Sequence, residues 1–229
     1  MVRMSKRRDY FQKVEERKYE IEEAIEFLKA APQTNFEQAI DVAVNLGIDA
    51  SKSDQNVRSS TALPAGTGKS CSVAVFAEAD QAEEAKKSGA DIVGMEDLAE
   101  KLKEEESNYD VIIATPDTMK VVSPLAKILG PKGKMPNPKT GTVTKDVGTA
   151  VKNAKAGQIT YRADNGGIVH GRIGNLSFSS EEIKQNIEKL LDDLKKNKPS
   201  SSKGEFIKKL FITSTMGPGL EIDMGSLKF

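Results

Sequence analysis

The chain has 229 residues, with 34 basic and 34 acidic side chains. Zero formal charge excludes a global electrostatic footprint for nucleic acid, although uneven placement still allows local ones. Its single cysteine, Cys71, and single histidine, His170, exclude a disulfide framework and a protein-ligated zinc cluster, so no metal is expected. No apolar run reaches the length of a membrane span, and MVRMSKRRDY at the amino end lacks the apolar segment of a signal peptide. A cytoplasmic location without a membrane partner is expected, with Cys71 buried and inert on a strand.

Ile21, Ala24, Ile25 and Leu28 recur at helical spacing, and Pro32 ends the pattern, which predicts a helix over 20–31. Ile40, Val42, Val44, Leu46 and Ile48 alternate with Asp41, Ala43, Asn45 and Gly47, the period of a strand with one buried face. Residues 49–60 are polar and read as loop. From Lys69 the rhythm becomes strand, helix, strand, helix: SVAVFA, a helix over 81–88 closed by Gly89, DIV, a helix over 96–105, and VIIA. A helix over 118–129 behind Asp117 and another over 147–156 ending at Gly157 follow. Such alternation predicts a parallel sheet with helices on its faces, a Rossmann-like unit.

Beyond Gly157 the short strands QITYRA and GIVHG flank the turn formers Asp164, Asn165, Gly166 and Gly167. Ser179 and Glu182 then form a capping box for a helix whose apolar face is Ile183, Ile187, Leu190, Leu191 and Leu194. SSSKG reads as a flexible link before the strand GEFIKKLFITST, and MGPGLEIDM turns into a last short strand. The ends read α+β and the middle α/β, as though one domain were inserted into another.

The motif GTGKS suggests a phosphate loop, but three requirements fail. Leu63 stands where the first glycine belongs, the residues after Lys69 form a strand instead of a helix, and Asp110 lies at the wrong end of VIIA to hold magnesium. A nucleotide enzyme built on the middle unit would also need glycines after its first strand, where Phe76, Ala77, Glu78, Ala79 and Asp80 stand. His170 has no adjacent nucleophile, so no catalytic constellation emerges.

Two stretches remain. LGPKGKMPNPKTGTVT interleaves prolines and glycines with Lys132, Lys134 and Lys139, in a span from Lys127 to Lys145 that holds five lysines and no acid. It is either a solvated loop or a surface for phosphate groups. TSTMGPG follows a strand with hydroxyls and two glycines, suited to a tight turn or to close approach of another backbone.

Together with LGIDASKSDQNVR and LPAGTGKS, these two stretches resemble the bacterial ribosomal protein L-one family, the mobile-stalk protein of the large subunit, over nearly the whole chain. The resemblance implies a discontinuous α+β domain over 1–66 and 158–229, with a Rossmann-like domain inserted at 67–157. It also implies binding of large-subunit rRNA and of the chain's own mRNA leader. Phe36, Lys52, Arg58, Asp164, Ser177, Thr213, Thr215, Met216 and Gly217 would serve this binding, and Lys69 at the domain crossing would reach a phosphate. The alternative for Phe36 is a core residue that caps the sheet. Lys132, Lys134 and Lys139 would contact exit-site tRNA or other RNA. Other components of the large subunit are implied partners, with no cofactor and no catalysis. Asn35 and Asn175 stand where many relatives carry lysine, and Asn165 replaces another basic residue. Each lost phosphate contact lowers the log–log salt slope by roughly 0.7 to 0.9, so weaker salt dependence is expected.

Overall fold

The structure, a computed structural model, describes residues 6–15, 17–32, 34–49, 52–103, 109–202 and 204–227. The last residues of the expected 96–105 helix, 50–51 of the expected loop and Lys203 of SSSKG lie outside the described residues.

In chain order, helices α1 (Lys6–Phe11) and α2 (Ile21–Lys29) precede strand β1 (Ala39–Leu46), a 3-10 turn at Ser53–Gln55 and strand β2 (Arg58–Ala62). Then come β3 (Val73–Phe76), α3 (Ala79–Lys87), β4 (Ile92–Gly94), α4 (Glu96–Lys103) and β5 (Val111–Ala114). The short α5 (Met119–Val122) and α6 (Ala126–Leu129) flank a 3-10 turn, and α7 (Val147–Lys155) follows. The last part holds β6 (Gln158–Arg162), β7 (Ile168–Asn175), α8 (Ser180–Lys196), β8 (Ile207–Ser214) and β9 (Leu220–Ile222). The chain divides into two compact units, Met1–Gly68 with Ile159–Phe229, and Lys69–Gln158. The first is α+β and the second α/β, the class expected from the change of rhythm.

In the first unit, an antiparallel sheet runs in the order β7-β1-β8-β9. The alternation in β1 sends Ile40, Val42, Val44 and Leu46 to one face, where α2 and α8 cover them with Ile25, Leu28, Ile187, Leu190 and Leu191. A full capping box at Ser179 and Glu182 starts α8. Asn186, fully buried on α8, accepts from the Ala65 amide at 3.1 Å and donates to the carbonyls of Gly66 at 3.0 Å and Ile173 at 2.8 Å. The LPAGTG segment is therefore anchored within its own unit. Two of its amides are already engaged, that of Ala65 by Asn186 and that of Gly66 by the Leu63 carbonyl at 3.1 Å.

The second unit has a parallel sheet in the order β4-β3-β5. All four β3 residues are fully buried, Ala74 and Phe76 in one apolar cluster and Val73 and Val75 in another on the opposite face. Burial on both faces explains the unbroken apolar runs VAVF and VIIA.

Three expectations need correction. Part of the stretch read as loop over 49–60 is ordered: Arg58 opens β2, which pairs with β6. Tertiary pairing there overrides a polar sequence. The helix expected over 118–129 is broken at a 3-10 turn, Ser123–Leu125, because Pro124 lacks the amide a continuous helix needs. Finally, Cys71 lies just before β3 and is only partly buried.

Candidate nucleic-acid interface

The outer face of the β7-β1-β8-β9 sheet carries side chains in cross-strand rows. Arg172, Asp41 and Thr213 share one row, and His170, Ala43 and Phe211 the next. A cavity of about 510 Å³ lies over this face, lined by residues that include Asp41, Thr160, His170, Arg172 and Thr213. Burial pushes the Asp41 carboxyl above its ordinary range, and the field of Arg172 partly opposes that.

At the end of the sheet where β1 begins, three connecting segments meet. The Thr215 amide donates to the Ala39 carbonyl at 3.1 Å, and the Thr215 hydroxyl accepts from the Ala39 amide at 3.0 Å. Gln38, 4% exposed, holds the other two: its Oε1 accepts from the Met216 amide at 3.2 Å, and its carbonyl accepts from the Leu176 amide at 3.0 Å. Phe36 is 51% exposed and Met216 55% exposed, which identifies Phe36 as a surface residue and not a core cap. Phe36, Gln38 and Ser177 line a notch of about 460 Å³ with Lys29 and Asn35. The Ser177 hydroxyl donates to Glu37 at 2.7 Å, and that of Thr213 to the Gly217 carbonyl at 3.2 Å. Gly217 must be glycine for space: a Cβ there would sit 2.3 Å from the Ser214 hydroxyl.

The structure thus brings Phe36, Ser177, Thr213, Thr215, Met216 and Gly217 together. Lys52, Arg58 and Asp164 lie toward the other end of β1, roughly 24 Å away along an eight-residue strand. There Lys52 pairs with Asp49 at 3.5 Å. Asp164 accepts from the amides of Ile168 at 2.8 Å and Gly166 at 2.9 Å, and these bonds, the Ile168 one foremost, hold its carboxyl below the usual range. Its carboxylate is also 3.5 Å from His170. Asp164 organises the turn before β7.

Lys69 belongs to the second unit, where its ammonium meets Asp110 at 2.6 Å. Asp110 also accepts from the Ser72 amide and hydroxyl at 3.2 Å each. The two residues that mimic a nucleotide site therefore join the starts of β3 and β5, whereas nucleotides bind beyond strand carboxyl ends. At those carboxyl ends the buried Thr118 hydroxyl donates to the Phe76 carbonyl at 2.9 Å and accepts from the Thr115 amide at 3.1 Å. Glu78 precedes α3 and Glu96 opens α4, so negative charge occupies the helix starts that would face a phosphate.

The lysine loop follows a fixed path. Val143 bridges to Ala114 of β5, the Asn137 amide donates to the Thr142 hydroxyl at 2.8 Å, and Gly133 and Gly141 take positive φ of 70° and 67°. Lys132 and Lys139 are exposed, and Lys134 is partly buried. No described helix is long and apolar enough to cross a membrane, and among the described residues no group of three or more His, Cys, Asp and Glu could hold a metal.

Sequence reasoning missed Gln38 and Arg172. The alternation IVHGRI places Arg172 on the face of His170, a signal present in the sequence. Gln38 carried none, because its role depends on a backbone amide 178 positions away.

The chain is thus a two-unit protein, an α+β unit whose sheet carries polar side chains on its outer face and an α/β unit whose central strand is buried on both faces. The chain belongs to the Ribosomal protein L1p/L10e family, whose model matches residues 28–218. It is 56% identical over 230 residues to the large ribosomal subunit protein uL1 of Marinobacter nauticus, covering 99% of each chain. It is 57% identical over 211 residues to that of Vibrio vulnificus, covering 92% of this chain and 91% of the relative. The corresponding protein of Alcanivorax borkumensis is 56% identical over 229 residues, with 99% of each covered. These relatives bear the name of a ribosomal protein, not of an enzyme.

Proposed function

We propose that this chain is a structural constituent of the large ribosomal subunit that binds large-subunit rRNA through the β1-start end of the first unit's sheet. The observation that carries this reading is the convergence there of two exposed apolar side chains, Phe36 and Met216, with the hydroxyls of Ser177 and Thr215. RNA suits such a surface: unstacked bases pack on aromatic and apolar groups, while hydroxyls and backbone groups meet 2′-hydroxyls across a shallow minor groove. Family membership and the relatives' names support the ribosomal setting.

In this reading the RNA-binding domain comprises residues 1–66 and 158–229, and the inserted domain residues 67–157. The protein works in the cytoplasm as part of the mobile stalk beside the tRNA exit site, among other large-subunit components. The loop of Lys132, Lys134 and Lys139 contacts exit-site tRNA and assists release of deacylated tRNA. The rRNA surface also takes the mRNA leader of its own operon and represses translation. No cofactor is involved.

The test is binding of the purified chain to the stalk segment of large-subunit rRNA, beside an unrelated structured RNA. Selective binding is expected, with Thr215→Ala and Met216→Ala each weakening it about tenfold, the scale of one lost base or hydrogen-bond contact. Met216 is over half exposed, so its truncation leaves the fold intact and isolates the RNA contact. Equal binding of both RNAs, or of neither, would sink the reading.

A further inference from the structure

The notch at the start of β1 is lined by one lysine, Lys29, and a further cation, Arg172, lies on the adjoining sheet face. Arg172 sits on the outer face of β7, opposite Asp41 of β1, which is in turn opposite Thr213 of β8. The strand pair is irregular between Ile40 and Asp41, so that Asp41 pairs with Arg172 while Ile40 pairs with Gly174. Such an irregularity re-aims nearby side chains. The guanidinium runs along the strand toward the notch, where its Nη2 donates to the Asn175 side-chain oxygen.

Asn175 is itself fixed. It is 4% exposed, and its amide nitrogen donates to the Gly68 carbonyl at 3.3 Å. Arg172 is thereby held by a neutral amide. Among the described residues it forms no salt bridge to a carboxylate, and its Nε is buried without a hydrogen-bond partner. A guanidinium anchored through one nitrogen on a neutral amide, with Asp41 acting on it through its field and no direct ion pair among the described residues, is held in place for an anion with several acceptors. The lining of the adjacent cavity supplies further polar groups in Thr160 and Thr213.

We propose that Arg172, positioned by Asn175, binds an RNA phosphate on the outer face of the sheet. The proposal rests on the rRNA-binding reading above. It revises the simple expectation of weaker salt dependence, because Arg172 adds a phosphate contact on this face.

The test is a salt titration of binding to the stalk rRNA segment by the wild type, Arg172→Met and Arg172→Lys, with thermal melts confirming that each folds. Arg172→Met is expected to bind about five- to tenfold more weakly at low salt, with a log–log slope shallower by roughly 0.7 to 0.9. Arg172→Lys keeps the charge and loses the fork, so it should keep the wild-type slope at an intermediate affinity. Selective wild-type binding with the same slope in Arg172→Met overturns the assignment alone, whether or not affinity falls, because a base-edge contact or a purely structural arginine would not shift the slope in this way. Absence of selective wild-type binding overturns the underlying reading and this assignment together.

Discussion

Phe36 and Phe76 are the same residue type in opposite situations. Phe76 is fully buried in a parallel sheet closed on both faces, with its carbonyl tied to Thr118, while Phe36 is half exposed at the end of a sheet covered on one face only. The comparison teaches where recognition can reside. A closed sheet spends its side chains on its own cohesion, whereas an open one leaves a row of them to meet a partner.

The largest expected effect breaks the comparison most directly. Phe76→Ala should cost about 3–5 kcal/mol of stability through the cavity it leaves, read by urea denaturation, with RNA affinity of the remaining folded molecules unchanged. Phe36→Ala should change stability by less than about 0.5 kcal/mol and lower RNA affinity by about 1–3 kcal/mol, the worth of one stacked base. If Phe36→Ala were as destabilising as Phe76→Ala, the distinction between cohesive and recognising aromatics would collapse.

A second prediction concerns the space beneath the notch. Gly217→Ala drives a methyl to within 2.3 Å of the Ser214 hydroxyl, a buried group with no hydrogen-bond partner, and should cost about 1–3 kcal/mol. Removing that hydroxyl with Ser214→Ala should be nearly neutral alone and should recover much of the loss in the double variant. Additive losses in the double variant would show that the crowding comes from Leu28, 3.1 Å from the same methyl position.

Legibility from sequence differed between the two units for the same physical reason. Periodicity reports burial, so β1, the α8 capping box and the buried strands of the parallel sheet could be read from it. It reported nothing about the break in 118–129, because one proline against an otherwise helical pattern does not say whether the chain kinks or stops. The interface was only half legible. TSTMGPG announced its turn, Phe36 could be carried over from the resemblance and the alternation of β7 placed Arg172 on its face, but Gln38 acts through a partner 178 positions away that only the fold supplies. Lys69 shows the converse. Its motif suggested a ligand, and the structure gives it Asp110.

That Lys69–Asp110 pair carries the smallest expected effect and sharpens the comparison by pH. Two carboxylates hold the start of the closed sheet, Asp110 on Ser72 and Asp91 on the Val73 amide at 2.8 Å. Both lie below the usual carboxylate range, Asp110 chiefly through its bond to Lys69 and Asp91 chiefly through the Val73 amide. A carboxyl depressed by folding binds its proton more weakly in the native state than in the unfolded one. Its stabilisation is therefore complete above the unfolded value near 4 and is lost as pH falls through the lower folded value. Lys69 is half exposed, so solvent screening limits the pair, and Asp110→Asn should cost only about 1 kcal/mol at neutral pH. Urea denaturation repeated at progressively lower pH below about 4 should show that cost shrinking toward zero as wild-type Asp110 becomes protonated. A cost that stayed constant into acid would mean that Asp110 acts through the shape of its hydrogen bonds to Ser72 and not through its charge on Lys69.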